Sequence, residues 1–382
     1  MIRNRLASAG KWQRFMKPEP ELAGGNPPAD NLVAVRPTEL RVPARSKYTA
    51  LRRLFAAAEA IGEFVGIRYG YLRRQETEPK WLYYSHKDYD GIGAFAEILR
   101  SRGAGLGPLP EIKYYPAVWA GVSALRHWPR YLAPKHPLPW ISMERDSSPH
   151  WGARPPIAVA WHVFDEPTTS GLRLGARSLG ITVNTFLLDA LTQAVRTLLV
   201  DPSAAVPWMI PVNMRGGVRQ FREVDNHTSY VAVQVPVSDA ASDIHRKILK
   251  ALSRGEHWGN WHAFKLANFI PHSMRTRLAA SGKALSQWSV GAFSNLGEWD
   301  ADRRLAGPDI EGDWLFCPPA LRTQMIAAGC LTFQGRLTLT LQTHPALTTS
   351  PARVQTLVGS WVSAIKASLA AAAAEPPVMP RS

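Results

Sequence analysis

Cysteine is nearly absent: Cys317 and Cys330 are the only two in 382 residues. Two thiols rule out a disulfide framework and are too few for a structural zinc site unless histidines complete it, which leaves buried free thiols as the reading. Long hydrophobic runs are also missing. Each apolar stretch is broken by Arg, Asp or Gln before it could span a bilayer, so no membrane span is expected. No apolar segment follows the basic start MIRNRLASAGKWQRF, which does not resemble a secretory signal, and a cytoplasmic location is expected. Acidic residues are in deficit, 30 against 45 Lys and Arg, for a net charge of +15. A field of that sign draws phosphates, acidic proteins or anionic lipid heads. The chain has no internal repeat and no G-x-S-x-G elbow, which disfavours a serine hydrolase. In HWGNWH, His257 and His262 do not share a helical turn, so no metal site is expected there.

With 46% hydrophobic and 20% charged residues the chain is globular. Its length suits two units or one large bilobal body. The first thirty or so residues, rich in Pro and Gly, form a loose arm. KYTALRRLFAAAEAIGEFV places Leu51, Leu54, Phe55, Ala58, Ile61 and Phe64 near helical spacing. KWLYYS has strand character, and IGAFAEILRSRG carries Ile92, Phe95, Ile98 and Leu99 on one helical face with Gly103 to stop it. Leu132 to Pro156 is Pro-rich and aperiodic, a crossover between halves. Beyond it PIAVAWHVF is a strand and GITVNTFLLDALTQAVRTLLV a buried helix with Thr182 or Asn184 near its N-cap. WMIPVNM and TSYVAVQVP are strands, DIHRKILKALSR and HAFKLANFI helices, and WSVGAFSNLG a strand. MIAAGCLTFQGRLTLTLQT is a hairpin turning at Gln334-Gly335. A last helix runs from about Ala352 to Ala370, followed by a frayed tail.

YYSHKDYDGIGAF, from Tyr83, falls where a strand ends and a helix begins, and it supports two readings. Gly91-x-Gly93-x-x-Ala96 satisfies the letter of a dinucleotide fingerprint, with Glu111 about 20 residues on. Asp88 and Asp90, however, stand where a pyrophosphate would approach and would repel it. The second reading makes His86 a base, since an imidazole accepts a proton near neutral pH. Asp90 then locks the turn or pairs with an Arg, and Gly91 bends the backbone and offers its N–H to a developing oxyanion. An ordinary strand-end His and an ordinary Asp N-cap explain the same residues from these positions alone.

SHKDYDG resembles the H-x-x-x-D-G signature of acyltransferases sharing the chloramphenicol acetyltransferase fold, a superfamily that includes peptide-synthetase condensation domains, polyketide-associated acyltransferases and wax-ester synthases. GITVNTFLLDALTQAV, PVNMRG, DNHTSYVAVQVP and FSNLGEW resemble later segments of that superfamily in the same order, so the likeness covers roughly residues 80 to 368. It departs in carrying Ser85 where condensation domains usually have a first histidine, and in lacking the DFGWG motif of the plant enzymes. The resemblance implies an α/β (α+β) chain of two lobes, each a mixed sheet with helices, with an active-site tunnel between them. Residues 1–150 would be the lobe carrying the motif, 151–370 the second lobe and 371–382 a flexible tail. His86 would be the general base, Asp90 a structural anchor toward an Arg, and Gly91 an oxyanion donor. Ser85, Tyr89, Asn226, Ser294, Asn295 and His344 would line the substrate site. The donor would be a thioester of coenzyme A or of an acyl carrier protein's phosphopantetheine, with no metal and no permanently bound cofactor. The acceptor would be a small alcohol or amine, and the chain a monomer.

Two rivals come from other classes. Arg and Trp interleave in KWQRF, RHWPRY and WGNWHAFK, as in a basic nucleic-acid-binding protein, but no recognised motif of that kind is present. The other is a condensation-like protein that has lost catalysis and only docks carrier proteins, which the intact His86, Asp90 and Gly91 disfavour.

Overall fold

The computed structural model describes residues 40–41, 50–112, 140–141, 158–218, 220–266, 269–280, 290–300 and 311–374. The N-terminal arm, most of the Leu132–Pro156 crossover and the last part of the tail lie outside the described residues.

The chain enters through β1 (Leu40–Arg41), α1 (Ala50–Ala60), β2 (Gly66–Leu72), β3 (Lys80–Ser85) and α2 (Gly91–Ser101). Then come β4 (Val159–Val163), α3 (Glu166–Ser178), α4 (Val183–Arg196), β5 (Val206–Asn213) and β6 (Thr228–Val235). They are followed by α5 (Ala241–Ser253), α6 (Glu256–Leu266), α7 (His272–Ala280) and β7 (Gly291–Trp299). The last elements are β8 (Asp313–Cys317), β9 (Ile326–Phe333), β10 (Arg336–Thr343) and α8 (Pro351–Ala374). Alanine has the best helix propensity, and α8 accordingly runs on through the Ala run that was expected to fray from residue 371.

Both sheets are mixed. The first has the order β1-β3-β2-β8, with β1 parallel to β3 and the other pairs antiparallel. The second has the order β4-β10-β9-β7-β5-β6, parallel only at β9-β7 and β7-β5. The β9–β10 hairpin turns at Gln334-Gly335 as expected, with φ of 49° and 80° there. That left-handed pair matches the twist of the strands it joins.

Side-chain alternation sets the layers. On β10, Leu337, Leu339 and Leu341 pack into a core with α3, α4 and α8, where Trp361 donates from Nε1 to the Leu187 carbonyl at 2.9 Å. The opposite face of the second sheet meets the first sheet: Trp161 of β4 lies 6.1 Å from Trp81 of β3. The far face of the first sheet is covered by α2, whose Phe95 stacks 5.5 Å from Tyr69 and meets Trp299, Trp314 and Phe333 edge-on.

The two sheets are tied through β8, the edge strand of the first. Its outer carbonyls meet side chains instead of another strand. Thr338 Oγ1 donates to Trp314 O at 2.7 Å, Thr340 Oγ1 to Phe316 O, and Gln342 Nε2 to Pro318 O. A side chain at Gly329 would sit 1.9 Å from that Phe316 carbonyl, so only glycine lets β8 cross β9 this closely.

Candidate active site

The turn after β3 is built by hydrogen bonds to Ser85 and by the cap of α2. The Ser85 carbonyl accepts from Asp88 N at 3.1 Å and Tyr89 N at 3.0 Å. Asp90, in extended backbone, caps α2 by accepting from Gly93 N at 2.7 Å. The phosphate reading fails here. The Gly93 N–H is taken by Asp90, and a Cβ on Gly93 would stand 2.0 Å from the Val224 carbonyl, so protein and not a phosphate stands against the second glycine of the fingerprint. α2 does not lead from β3 to a parallel neighbour: β3 pairs with the preceding strands β1 and β2, so there is no β3-α2-β unit of the dinucleotide-binding kind.

The Arg that pairs with Asp90 is Arg215, from the PVNMRG stretch after β5. Its Nη2 donates to Asp90 Oδ1 at 2.8 Å, and His227 N donates to Oδ2 at 2.8 Å. Both side chains are almost fully buried, at 4% and 3% exposure. Arg215 also donates to the carbonyls of Glu223 at 2.9 Å and Asp225 at 3.1 Å, so one guanidinium fixes the whole β5–β6 connection against the helix start. A buried ion pair needs such extra bonds to offset its desolvation.

His86 projects from this frame, half-buried. Its Nδ1 lies 2.9 Å from the Tyr89 carbonyl. A carbonyl only accepts, so Nδ1 carries the proton and Nε2 keeps its lone pair. Asn226 donates from Nδ2 to the His86 carbonyl at 2.7 Å, and the Phe55 ring of α1 lies 4.6 Å from the imidazole. Burial lowers the His86 pKa, while the Tyr89 carbonyl and the Asp90 charge oppose the shift. The neutral, proton-accepting form therefore dominates at neutral pH.

The other expected residues divide. Gly91 has no positive φ, so it is not a bend that requires glycine there; the requirement is space, since a Cβ would meet Leu296 Cδ2 at 2.6 Å and the Phe316 ring at 3.0 Å. Tyr89 holds His86 through its carbonyl, while its ring is buried edge-on to Tyr84 at 5.3 Å. Asn226 is a positioning residue, its Oδ1 accepting from Thr228 N at 3.0 Å. Ser294 lies on the opposite face of β7 from core residue Phe293, the face shared with Leu296, and so looks toward the first sheet. Asn295 Oδ1 accepts from Gly297 N at 2.9 Å at the bulge in β7. His344 is buried; its Nδ1 accepts from Ala346 N at 3.1 Å and its Nε2 lies 3.3 Å from Glu63 Oε2. Ser85 is buried with its hydroxyl unpartnered. The sequence leaves the Arg partner of Asp90 unidentified and does not single out His227; an arginine two residues after a strand that ends in Asn213 is the available signal for the first. Among the described residues no three His, Cys, Asp or Glu come together as metal ligands, and no helix is long and apolar enough to cross a membrane.

No protein-family model matches the chain, and no curated protein sequence matches it. Solved structures do. The trichothecene 15-O-acetyltransferase of Fusarium sporotrichioides superposes with a TM-score of 0.52 at 12% identity, over 86% of this chain and 76% of that one. The EpoB cyclization-docking bidomain of a nonribosomal peptide synthetase from Sorangium cellulosum gives 0.51 at 13% identity, over 78% of this chain and 60% of that one. The fold is the chloramphenicol acetyltransferase-like, condensation-type fold. On that fold, the turn from Ser85 to Gly93 and the β5–β6 connection meet at one place; His86 and the more deeply buried His227 each hold Nδ1 against a carbonyl there, which leaves Nε2 of each ring as the basic nitrogen.

Proposed function

We propose that the chain is an acyltransferase that moves an acyl group from a thioester to an alcohol or amine. The observation that carries this is the His86 ring, held at Nδ1 by the Tyr89 carbonyl so that Nε2 is left as a base in the turn that leads into α2. Nε2 takes the proton of the acceptor O–H or N–H as that heteroatom bonds to the thioester carbonyl carbon. The tetrahedral oxyanion is met by the N–H of Gly91 at the start of α2, the Gly93 N–H being held by Asp90. Collapse breaks the C–S bond, and the thiolate leaves with the proton from His86. No acyl-enzyme forms. Asp90 and Arg215 act through the backbone, aiming the imidazole without touching substrate. Donor and acceptor would enter from opposite sides, between a lobe built on the first sheet, which β8 completes from beyond residue 150, and a lobe built on the second. The phosphates of coenzyme A or an acidic carrier protein would suit the net charge of +15.

The test is free-thiol release from acyl-coenzyme A and acyl-pantetheine thioesters with mixed alcohol and amine acceptors, wild type against His86→Ala. Release that needs both the acceptor and His86 supports the reading. Release that His86→Ala leaves intact removes His86 from the mechanism, and silence with carrier-bound donors as well removes the activity.

A further inference from the structure

Arg68 is a buried cation that the proposed chemistry does not use. It leaves β2 on the face turned away from α2, is 4% exposed, and lies between the two sheets. All of its contacts are neutral. Nη1 donates to Gln342 Oε1, the Tyr83 side chain is hydrogen-bonded to the guanidinium, and the guanidinium carbon stands 5.0 Å from the Phe64 ring centroid and 5.5 Å from that of Tyr83. The neighbouring Cys317 thiol is pushed up to about 12 by burial and is no thiolate at neutral pH. No carboxylate among the described residues pairs with Arg68, and its Nε is buried without a hydrogen-bond partner. Aromatic faces offset only part of the cost of a desolvated cation, which buried charges ordinarily recover through a counter-ion.

A second orphan lies beside it. Ser85 Oγ, on the same face of β3, is also buried and unpartnered. In the ladder Ser85 stands opposite Gly66 and Tyr83 opposite Arg68. Gly66 supplies no side chain, so the space over it, beside Arg68 and Ser85, is left to a neighbour. One ring fills it: a Cβ on Gly66 would lie 2.4 Å from Phe64 Cζ, and Phe64 is half-buried.

We infer that Arg68 and Ser85 receive a carboxylate, Nε–H donating to one oxygen and the serine hydroxyl to the other, as the Phe64 ring gives way. This deepens the acyl-transfer reading and rests on it: Ser85 directly precedes His86, so one of the two substrates is an acid. A guanidinium edge matches a carboxylate in shape and charge, whereas a neutral chain end leaves both orphans unsatisfied. The carboxylate belongs either to the acyl donor, as the far end of a dicarboxylic monothioester, or to the acceptor, as an amino or hydroxy acid.

Calorimetric titration of the full chain separates the sources with two pairs of probes, each without its co-substrate. Succinyl-pantetheine is compared with butyryl-pantetheine, and γ-aminobutyrate with butylamine. In one pair the acid is expected to bind about ten-fold tighter or more, the scale of one charge-assisted contact. Arg68→Met should bring that ratio near unity. Ser85→Ala, which deletes only a hydroxyl, should reduce it by about three-fold and serves if the first variant does not fold. Equal binding within both pairs, or an acid preference that both variants keep, overturns the inference. Thiol release from butyryl-pantetheine with His86→Ala judges the chemistry separately. Release without acid preference leaves acyl transfer standing, and acid preference without release leaves a carboxylate site that does no such chemistry.

Discussion

Breaking the Asp90–Arg215 pair tests whether it holds the site together. Asp90 accepts three bonds while nearly fully buried, from Gly93 N, Arg215 Nη2 and His227 N. Asp90→Asn keeps the shape but turns one oxygen into an NH2 that faces another donor, and it leaves the guanidinium without a counter-ion. Arg215→Met leaves the carboxylate buried with two backbone donors and strips one donor each from the Glu223 and Asp225 carbonyls. Removing one partner of such a pair costs about 3–5 kcal/mol. Each single variant should therefore lose a large share of a total stability of about 5–15 kcal/mol. The double variant holds no buried charge here, so its cost should fall short of the sum by about 2 kcal/mol or more. Urea unfolding followed by tryptophan fluorescence measures this. At a slope of about 3 kcal/mol/M each single variant should lower the midpoint by about 1 M or more. Single costs below about 1 kcal/mol, or additivity within about 0.5 kcal/mol, would refute the coupling.

Gly93→Ala should be more damaging than a surface glycine change, because its Cβ would meet the Val224 carbonyl at 2.0 Å; a loss of about 1–3 kcal/mol or more is expected by thermal melting, and an unchanged midpoint would mean that the β5–β6 connection can retreat. The activity profile should carry an acidic limb below pH 6.5: burial lowers the His86 pKa, so the base is neutral and active above that value and lost as it is protonated below; a limb centred above pH 7 contradicts this. His257 is held at about 4 by burial, so the unfolded chain takes up a proton there before the folded one does. The folded state should lose stability as pH falls from about 6.5 to about 4, and His257→Gln should lose less over that window in pH-dependent denaturation; parallel losses would remove His257 as the source.

Much of the site was legible because it is local. KWLYYS, the His86 turn, the Asp90 cap and the Gln334-Gly335 corner each sit within a few residues, where periodicity and turn chemistry act directly. Thr182 also caps α4 as read, accepting from Thr185 N at 3.2 Å. The missed elements lack a local signal. GIRYGYL of β2 is buried along nearly its whole length and interrupts its apolar residues with Arg and Gly, so it shows no in-out alternation. EPTTSGLRLGARS of α3 contains two glycines, and its helical state rests on the Asp165 cap and on packing beneath α8. DWLFC of β8 is too short to be told from a loop. HAFKLANFI starts later than α6 does, because Trp258 and Trp261 are buried beside polar neighbours and no apolar face stands out before it. The pairing of Arg215 with Asp90 has no local signal, since the two lie 125 residues apart.

The threonine and glutamine ladder on β8 bears on how the chain comes into being. A sheet edge closed by hydroxyl and amide side chains offers no row of open backbone groups to a neighbouring molecule, so that flank does not template aggregation. It also orders assembly. β2 and β3 emerge early in synthesis, yet the strand that completes their sheet, and the residues that seal that strand, come near the far end of the chain. The early segment must wait with one flank unpaired, and closure is a late, long-range step that joins the two sheets into one cooperative unit.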